Sequence, residues 1–270
     1  MLIAVGTGKG SPGGTTLGLG LAALWPRPDA TLVECDPAGG DLWARFGHHP
    51  EPGLSGLAAA ATWEGPIPGF FRQRLSVGAD VVLGIPGDGA AASVLTLADR
   101  GLDALRQAST TATVILDVGR LDTRSPAIPL AAAADHVLLL SASALAQQAQ
   151  VGARLAWLSH AMTGKLWLVG VGDGGHGTAD LGRDLGLPAI GTMPQSRWGA
   201  GVLSGQLTIP NWRRLKLARA IRQIAAALCA LDPEPEAEPA ETVVWLSADK
   251  RAVPPMIPAP SRAGRQGVMK

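Results

Sequence analysis

Tyrosine is absent from the sequence, and there are only three phenylalanines and two cysteines. Cys35 and Cys229 lie far apart, with no CxxC pair and no histidine at ligand spacing. That excludes a disulfide framework and a cysteine zinc site, and both residues, set in apolar segments, read as buried and structural. Excess charge of one sign is missing too. The 23 basic and 22 acidic residues leave a net charge of +1, which excludes a globally basic nucleic-acid binder. No uninterrupted apolar run of about 18 residues exists; the richest stretch, Ala127 to Ala146, is broken by Pro129, Asp135 and His136. The apolar run at the N-terminus is too short for a signal peptide and has no basic segment before it. These absences lead to the expectation of a soluble cytoplasmic protein. Lysine is scarce as well, with Lys9, Lys165, Lys216, Lys250 and Lys270 the only five. One of them, Lys9, sits in a glycine-rich loop.

What is present is ample apolar material. Hydrophobic residues make up 47% of 270, enough to bury a substantial core and too many for a disordered chain. Composition shifts after Leu231. Asp232 to Glu241 reads DPEPEAEPAE, a short apolar piece TVVWL follows, and a Pro-rich basic end closes the chain. The expected organisation is therefore a folded domain over 1–231 and a disordered tail over 232–270, in which TVVWL alone has the character of a docking strand. Within the domain, short apolar runs are expected as strands at Leu2–Val5, Thr31–Cys35, Val81–Ile85, Thr113–Leu116, Val137–Leu140, Leu166–Val171 and Ala189–Gly191. Helical stretches lie between them, at Thr15–Leu24, Ala91–Gln107, Leu145–Met162 and Ala179–Leu185. This alternation predicts a doubly wound α/β fold, a mainly parallel sheet of about seven strands with helices on both faces. In such sheets ligands bind beyond the carboxyl ends of the strands.

Three of those strand ends carry chemistry. The first is Gly6-Thr7-Gly8-Lys9-Gly10-Ser11-Pro12-Gly13-Gly14-Thr15-Thr16. Glycines let a backbone approach a phosphate closely, and consecutive N–H groups with a helix N-terminus hold the anion. Thr15 or Thr16 can offer a hydroxyl to Mg2+. Two patterns compete here. Gly8-x-Gly10-x-x-Gly13, with Glu34 as the ribose-binding acid, fits an NAD(P) site. A variant P-loop is the rival, although the ordinary G-x-x-x-x-G-K-[ST] requires lysine where Gly14 stands. The second end, LVECDPAGGD, places Asp36 before a flexible Gly39-Gly40 pair, an arrangement suited to water or metal rather than to a dinucleotide. The third, VILDVG, presents Asp117 as P-loop proteins present an acid to Mg2+.

KGSPGGTT, Lys9 to Thr16, resembles the deviant Walker A motif KGGxGKTT of the MinD/ParA ATPases, a SIMIBI-class P-loop family. LVECDPAGGD resembles their LIDxDPQGN, VILDVG their Walker B strand, and LGLPAIGTMPQSR, Leu185 to Arg197, their late LGLPVLGVIPxD segment. The four occur in family order over roughly 1–231, and the SPG followed by Thr-Thr is similar to degenerate actinobacterial members. The resemblance implies ATP and Mg2+ as ligands. Lys9 then matches the signature lysine, which reaches a phosphate across a nucleotide-sandwich homodimer. Gly8, Gly10, Ser11, Gly13, Gly14, Thr15 and Thr16 match the phosphate cradle, and Pro194 lies where the family borders the base. Asp36 matches the acid that orients attacking water, and Asp117 the Walker B acid; Thr15, Asp36 and Asp117 are the implied metal residues. The implied function is a nucleotide-dependent dimerising switch that partitions or positions DNA, as in chromosome partitioning, or a cell-envelope, secretion or pilus assembly.

The chain also departs from the family. Gly14 replaces the phosphate-binding lysine, Ser11 replaces a glycine and Glu34 stands for the first Asp. No base-contacting Asn follows strand six, where Val169 to Gly174 reads VGVGDG. Removing a cation beside a transferring phosphate weakens binding and transition-state stabilisation. ATP hydrolysis and a pseudo-ATPase scaffold working by partner binding therefore stand side by side as expectations, with Arg120 or Arg124 a candidate replacement charge. Asn211 to Leu231 is expected as one helix capped by Asn211, with Leu217, Ile221, Ile224 and Leu228 facing the core. Its basic residues, Arg213, Arg214, Lys216, Arg219 and Arg222, suit non-specific DNA, an anionic membrane, an acidic partner or plain solvation. His48-His49 reads as a solvent-exposed turn, and Trp198 and Trp212 as fillers of core edges.

Overall fold

The computed structural model describes residues 1–10, 12–142, 144–172 and 177–231. Eight strands form one sheet: β1 (Leu2–Thr7), β2 (Ala30–Glu34), β3 (Gln73–Arg74), β4 (Asp80–Val82), β5 (Thr113–Arg120), β6 (His136–Ala142), β7 (Lys165–Val171) and β8 (Ala189–Met193). Their order is β3-β4-β2-β5-β1-β6-β7-β8, and every pairing is parallel except β3 with β4. The strand beyond the expected seven is the two-residue edge piece β3. It is too short and too polar to show any apolar run.

The helices are α1 (Gly14–Leu24), α2 (Leu42–Phe46), α3 (Leu54–Ala60), α4 (Gly89–Arg100), α5 (Leu102–Thr111), α6 (Ile128–Ala132), α7 (Leu145–Ala161), α8 (Thr178–Leu185), α9 (Arg197–Leu203) and α10 (Lys216–Leu231). Side chains alternate across each buried strand, which divides the core in two. Ile3, Val5, Ile115, Leu138 and Leu140 pack on one face with Leu17, Leu21, Ile221, Ile224 and Leu228 of α1 and α10. Leu2, Ala4, Val114, Leu116, Val137 and Leu139 pack on the other with Leu57, Val94, Leu97, Leu105 and Leu158 of α3, α4, α5 and α7. Helices α1 and α10 come close because α1 carries Gly20: a Cβ there would lie 2.5 Å from Ile221 Cδ1.

Two expected helices differ. The stretch expected at Ala91–Gln107 is broken at Gly101, whose N–H ends α4 on Leu97 O at 2.9 Å and whose carbonyl accepts the Leu105 N–H that starts α5 at 3.0 Å. A mid-helix glycine gains least from continuing the ladder. Asn211 does not cap the last helix. It is left-handed, with φ 56° and no side-chain cap bond, and is followed by a 3-10 turn, Trp212–Arg214. α10 begins only at Lys216, where the Arg219 N–H bonds Leu215 O at 3.0 Å. The strand expected to reach Ile85 stops at Val82. Beyond it, Leu83 O accepts from the Leu54 N–H at 2.8 Å, and Ile85 O from the Gly40 N–H at 3.1 Å. Those carbonyls serve the start of α3 and the loop after β2 instead of a strand ladder.

Cys35 is buried as expected, while Cys229 is half-buried. Trp198 is an exposed residue, 58% accessible, with the Arg197 guanidinium 5.9 Å from its ring. Trp212 is half-buried at the edge of the α10 core. Among the described residues no helix is long and apolar enough to cross a membrane. The segment expected as a tail, including TVVWL, lies outside the described residues.

Candidate nucleotide site

β1 lies between β5 and β6, so the chain leaves its carboxyl end toward β2 on one side and returns to β6 on the other. This is the topological switch point, where a doubly wound sheet opens a crevice. A cleft of about 500 Å³ lies there, and Gly10, Gly14, Thr15, Asp36 and Asp117 line it. The three loops singled out in the sequence therefore converge.

The turn entering α1 is built for an anion. Gly10 and Gly13 adopt φ of 73° and 105°, a left-handed backbone that side chains resist. Gly13 is the N-cap of α1. No side chain caps that helix and no acid lies in its first turn, which leaves its first N–H groups facing outward with their partial positive charge. At Gly14 a Cβ would meet Thr7 Cγ2 at 3.3 Å and Asp117 Oδ1 at 3.8 Å. The position of the missing lysine thus points toward the acid.

Asp117 is not at the end of its strand, as the sequence suggested, but inside β5. Val5 pairs with Asp117 while Gly6 pairs with Gly119, so Val118 is an extra residue that bulges the ladder. Bulges re-aim side chains beside functional sites. The Asp117 carboxyl is 2% exposed, accepts the Thr15 hydroxyl and takes the Gly119 N–H at 3.3 Å. Burial pushes it up to about 6, the negative charges of Asp36 and Asp41 push the same way, and the two donors pull it down. Asp36 lies directly over Gly119. A Cβ at 119 would be 2.6 Å from Asp36 Oδ2 and nearer still to its Cγ, and Gly119 has φ 63°. Asp36 Oδ1 accepts the Ala38 N–H at 2.9 Å, which orients the carboxylate.

The residues present fit Mg2+ with a polyphosphate. Two carboxylates and a hydroxyl are hard oxygen donors, and a buried acid destabilised by neighbouring charge gains from a cation. Among the described residues no three His, Cys, Asp or Glu side chains converge on a metal cage. Mg2+ needs only one or two carboxylates, the rest of its shell being phosphate oxygens and water.

Glu34 does not serve the role given to it in the dinucleotide pattern. It is 2% exposed, and its Oε1 accepts the Asp41 and Leu42 N–H groups at 3.1 and 3.2 Å. Its Oε2 accepts the Gly84 N–H at 2.9 Å. Both oxygens clamp the loop after β2 against the end of β4, and their burial closes them off from a ribose. Burial pushes this carboxyl up to about 7, against the pull of its three N–H donors. Nothing in the sequence marked this clamp. Its partners are three backbone amides drawn from two segments, and Gly40 and Gly84 pack too closely for side chains, a Cβ at Gly40 falling 2.6 Å from Gly84 Cα. Cys35, between the acids, is fully enclosed and its thiol is pushed up by burial, which keeps it inert.

The sequence matches no family model, and none of the curated proteins. Solved structures do match. The cell division ATPase MinD of Pyrococcus furiosus aligns over 85% of this chain and 98% of its own, at 17% identity and TM-score 0.68. A ParA family ATPase from Chlorobium tepidum aligns over 84% and 98%, at 17% identity and TM-score 0.65. The chain has the MinD/ParA fold. A third structure of this fold, the septum site-determining protein MinD of Pyrococcus horikoshii complexed with Mg-ADP, covers 85% and 96% at 15% identity and TM-score 0.65.

On this MinD/ParA fold Gly8, Lys9, Gly13, Thr16 and Pro194 are not among the lining residues of the cleft. Lys9 is exposed. Gly8 is buried, and its missing side chain admits Val151 of α7, whose Cγ2 would be 2.7 Å from a Cβ there. Thr16 is half-buried, and Pro194 is buried just after β8. Gly13 links the two segments, since a Cβ on it would be 3.7 Å from Met193 Cε. Ser11 lies outside the described residues. Arg120 and Arg124, on the loop that follows β5, do line the cleft. Arg213, Arg214, Lys216, Arg219 and Arg222 form an exposed face, with Arg213 and Arg214 in the 3-10 turn rather than in α10.

Proposed function

We propose that this chain binds ATP with Mg2+ at the switch-point cleft and acts as a nucleotide-dependent dimerising switch in partitioning or positioning DNA or an envelope or secretion assembly. One observation carries the reading: the buried Asp117, held by Thr15 at the uncapped start of α1, directly beneath a left-handed glycine turn. Thr15 and Asp117 would hold Mg2+, with Asp36 beside it, and bound Mg2+ would neutralise phosphate charge. Asp36, held by the Ala38 N–H over Gly119, would accept a proton from an attacking water. Gly10, Gly13 and the first N–H groups of α1 would receive the phosphates; a MinD of similar fold is complexed with Mg-ADP, which supports a nucleotide as ligand. Lys9, exposed and not among the lining residues of the cleft, would meet a nucleotide on a second copy.

A second reading, a nucleotide-binding scaffold without turnover, is favoured by Gly14, which leaves the P-loop without its lysine. Calorimetry with ATP, ADP and NAD(P), each with Mg2+, followed by phosphate release and light scattering, separates the two. The switch predicts ATP binding, slow phosphate release and ATP-dependent doubling of mass, with Asp36→Ala prolonging the dimer. ATP binding without phosphate release supports the scaffold. Failure to bind ATP refutes both, and preference for NAD(P) would return the site to the dinucleotide pattern.

A further inference from the structure

We propose that the phosphate-binding charge a P-loop carries at residue 14 has been moved in this chain to Arg120 and Arg124. The inference rests on the nucleotide reading above. The lining of the cleft contains Asp36, Asp117 and Asp122 but no lysine. An anion entering a site with three carboxylates and one helix N-terminus meets net repulsion unless cations are supplied. Among the described residues, Arg120 and Arg124 are the cations lining it.

Their placement follows from local structure. Arg120 is the last residue of β5, in register with Thr7 at the end of β1, and the Leu121 N–H bonds Thr7 O at 2.9 Å. That pairing fixes Arg120 beside the first residues of the glycine loop. Arg124 sits in a turn closed by its own N–H on Asp122 Oδ1 at 2.9 Å and by the Ser125 N–H on Asp122 O at 3.1 Å. Both side chains are exposed, and among the described residues neither makes an ion pair or a side-chain hydrogen bond within the chain. By contrast Arg45, Arg74 and Arg183 each pair with an aspartate. Two unpaired guanidinium groups facing a cleft with an anion-ready helix end suit phosphate, which they can grip with two parallel N–H bonds apiece.

A lysine at 14 needs only a small adjustment of one neighbouring side chain. A Cβ there would lie 3.3 Å from Thr7 Cγ2, so the Thr7 side chain must give by a few tenths of an ångström, and the residue has no positive φ. Lysine can therefore be put back, which makes the exchange testable in both directions. Calorimetry would measure Mg-ATP and, separately, inorganic triphosphate binding to the full chain. Arg120→Ala and Arg124→Ala are each expected to weaken both ligands about tenfold or more, with unchanged thermal unfolding because both side chains are exposed. Adding Gly14→Lys to the double variant should restore at least tenfold of the lost affinity for both. If the unaltered chain binds ATP and the arginine variants bind it equally well, the proposal fails while the nucleotide reading stands. Loss without recovery by Gly14→Lys would also overturn the exchange. If the unaltered chain binds neither ATP nor triphosphate, both fall together.

Discussion

Gly119→Ala tests the geometry of the site through the contact between residue 119 and the Asp36 carboxyl. Gly119 has φ 63°, and an L side chain held there costs about 1–2 kcal/mol. The added methyl would also collide with the Asp36 carboxyl, 2.6 Å from Oδ2. Asp36 is only half-buried, so it would turn away rather than hold the clash. The cost of turning is its bond to the Ala38 N–H, about 1 kcal/mol. The single variant should therefore lose about 2–3 kcal/mol in urea unfolding, with an unchanged m-value. In an Asp36→Ala background the clash is gone and only the backbone strain remains. The double variant should then be more stable than the sum of the two singles by about 1 kcal/mol, beyond the roughly 0.3–0.5 kcal/mol scatter of independent sites. Strict additivity would refute the contact between Asp36 and Gly119, and with it the orientation assigned to the acid.

The buried acids predict an unusual pH profile. Glu34 rises from 4.5 to about 7 and Asp117 from 3.8 to about 6 on folding, so between those values the folded chain keeps protons that the unfolded chain releases. Stability contributed by these groups is thus present below about pH 4 and is lost as pH rises toward 7, by at most about 3 kcal/mol for either group. Urea unfolding at pH 4.5 and 7.5, compared between the native chain and Glu34→Gln or Asp117→Asn, reads each group's share; an unchanged slope in either variant contradicts the assignment. In the core, Ile221→Ala should cost about 2–4 kcal/mol by opening a cavity at Gly20. Adding Gly20→Ala should return about 1 kcal/mol, since the new methyl enters that space and favours the helix. Further loss in the double variant would argue against the close approach of α1 and α10.

Much of the scaffold was legible from local chemistry. Continuous apolar runs such as LIAV and VLLL mark strands buried on both faces, because a parallel sheet covered by helices has no polar side. That the glycine loop and Asp36 meet at one cleft could be read because both follow parallel strands at the switch point. The absence of lysine at 14 was equally plain. What stayed hidden involves partners distant in sequence. Glu34 reads as a ligand acid by spacing, yet its three donors come from Asp41, Leu42 and Gly84, and only folding brings those amides to it. Asn211 has the chemistry of a helix cap, but the chain turns left-handed there and α10 starts five residues later. The bulge at Val118 exists only because β5 pairs with β1, and it sets where Asp117, Gly119 and Arg120 point. Composition and spacing determined the class of fold and the chemistry available at its strand ends. Tertiary structure decided which acids face the cleft and which are spent on the backbone, because hydrogen-bond partners and burial depend on register between strands far apart in the chain.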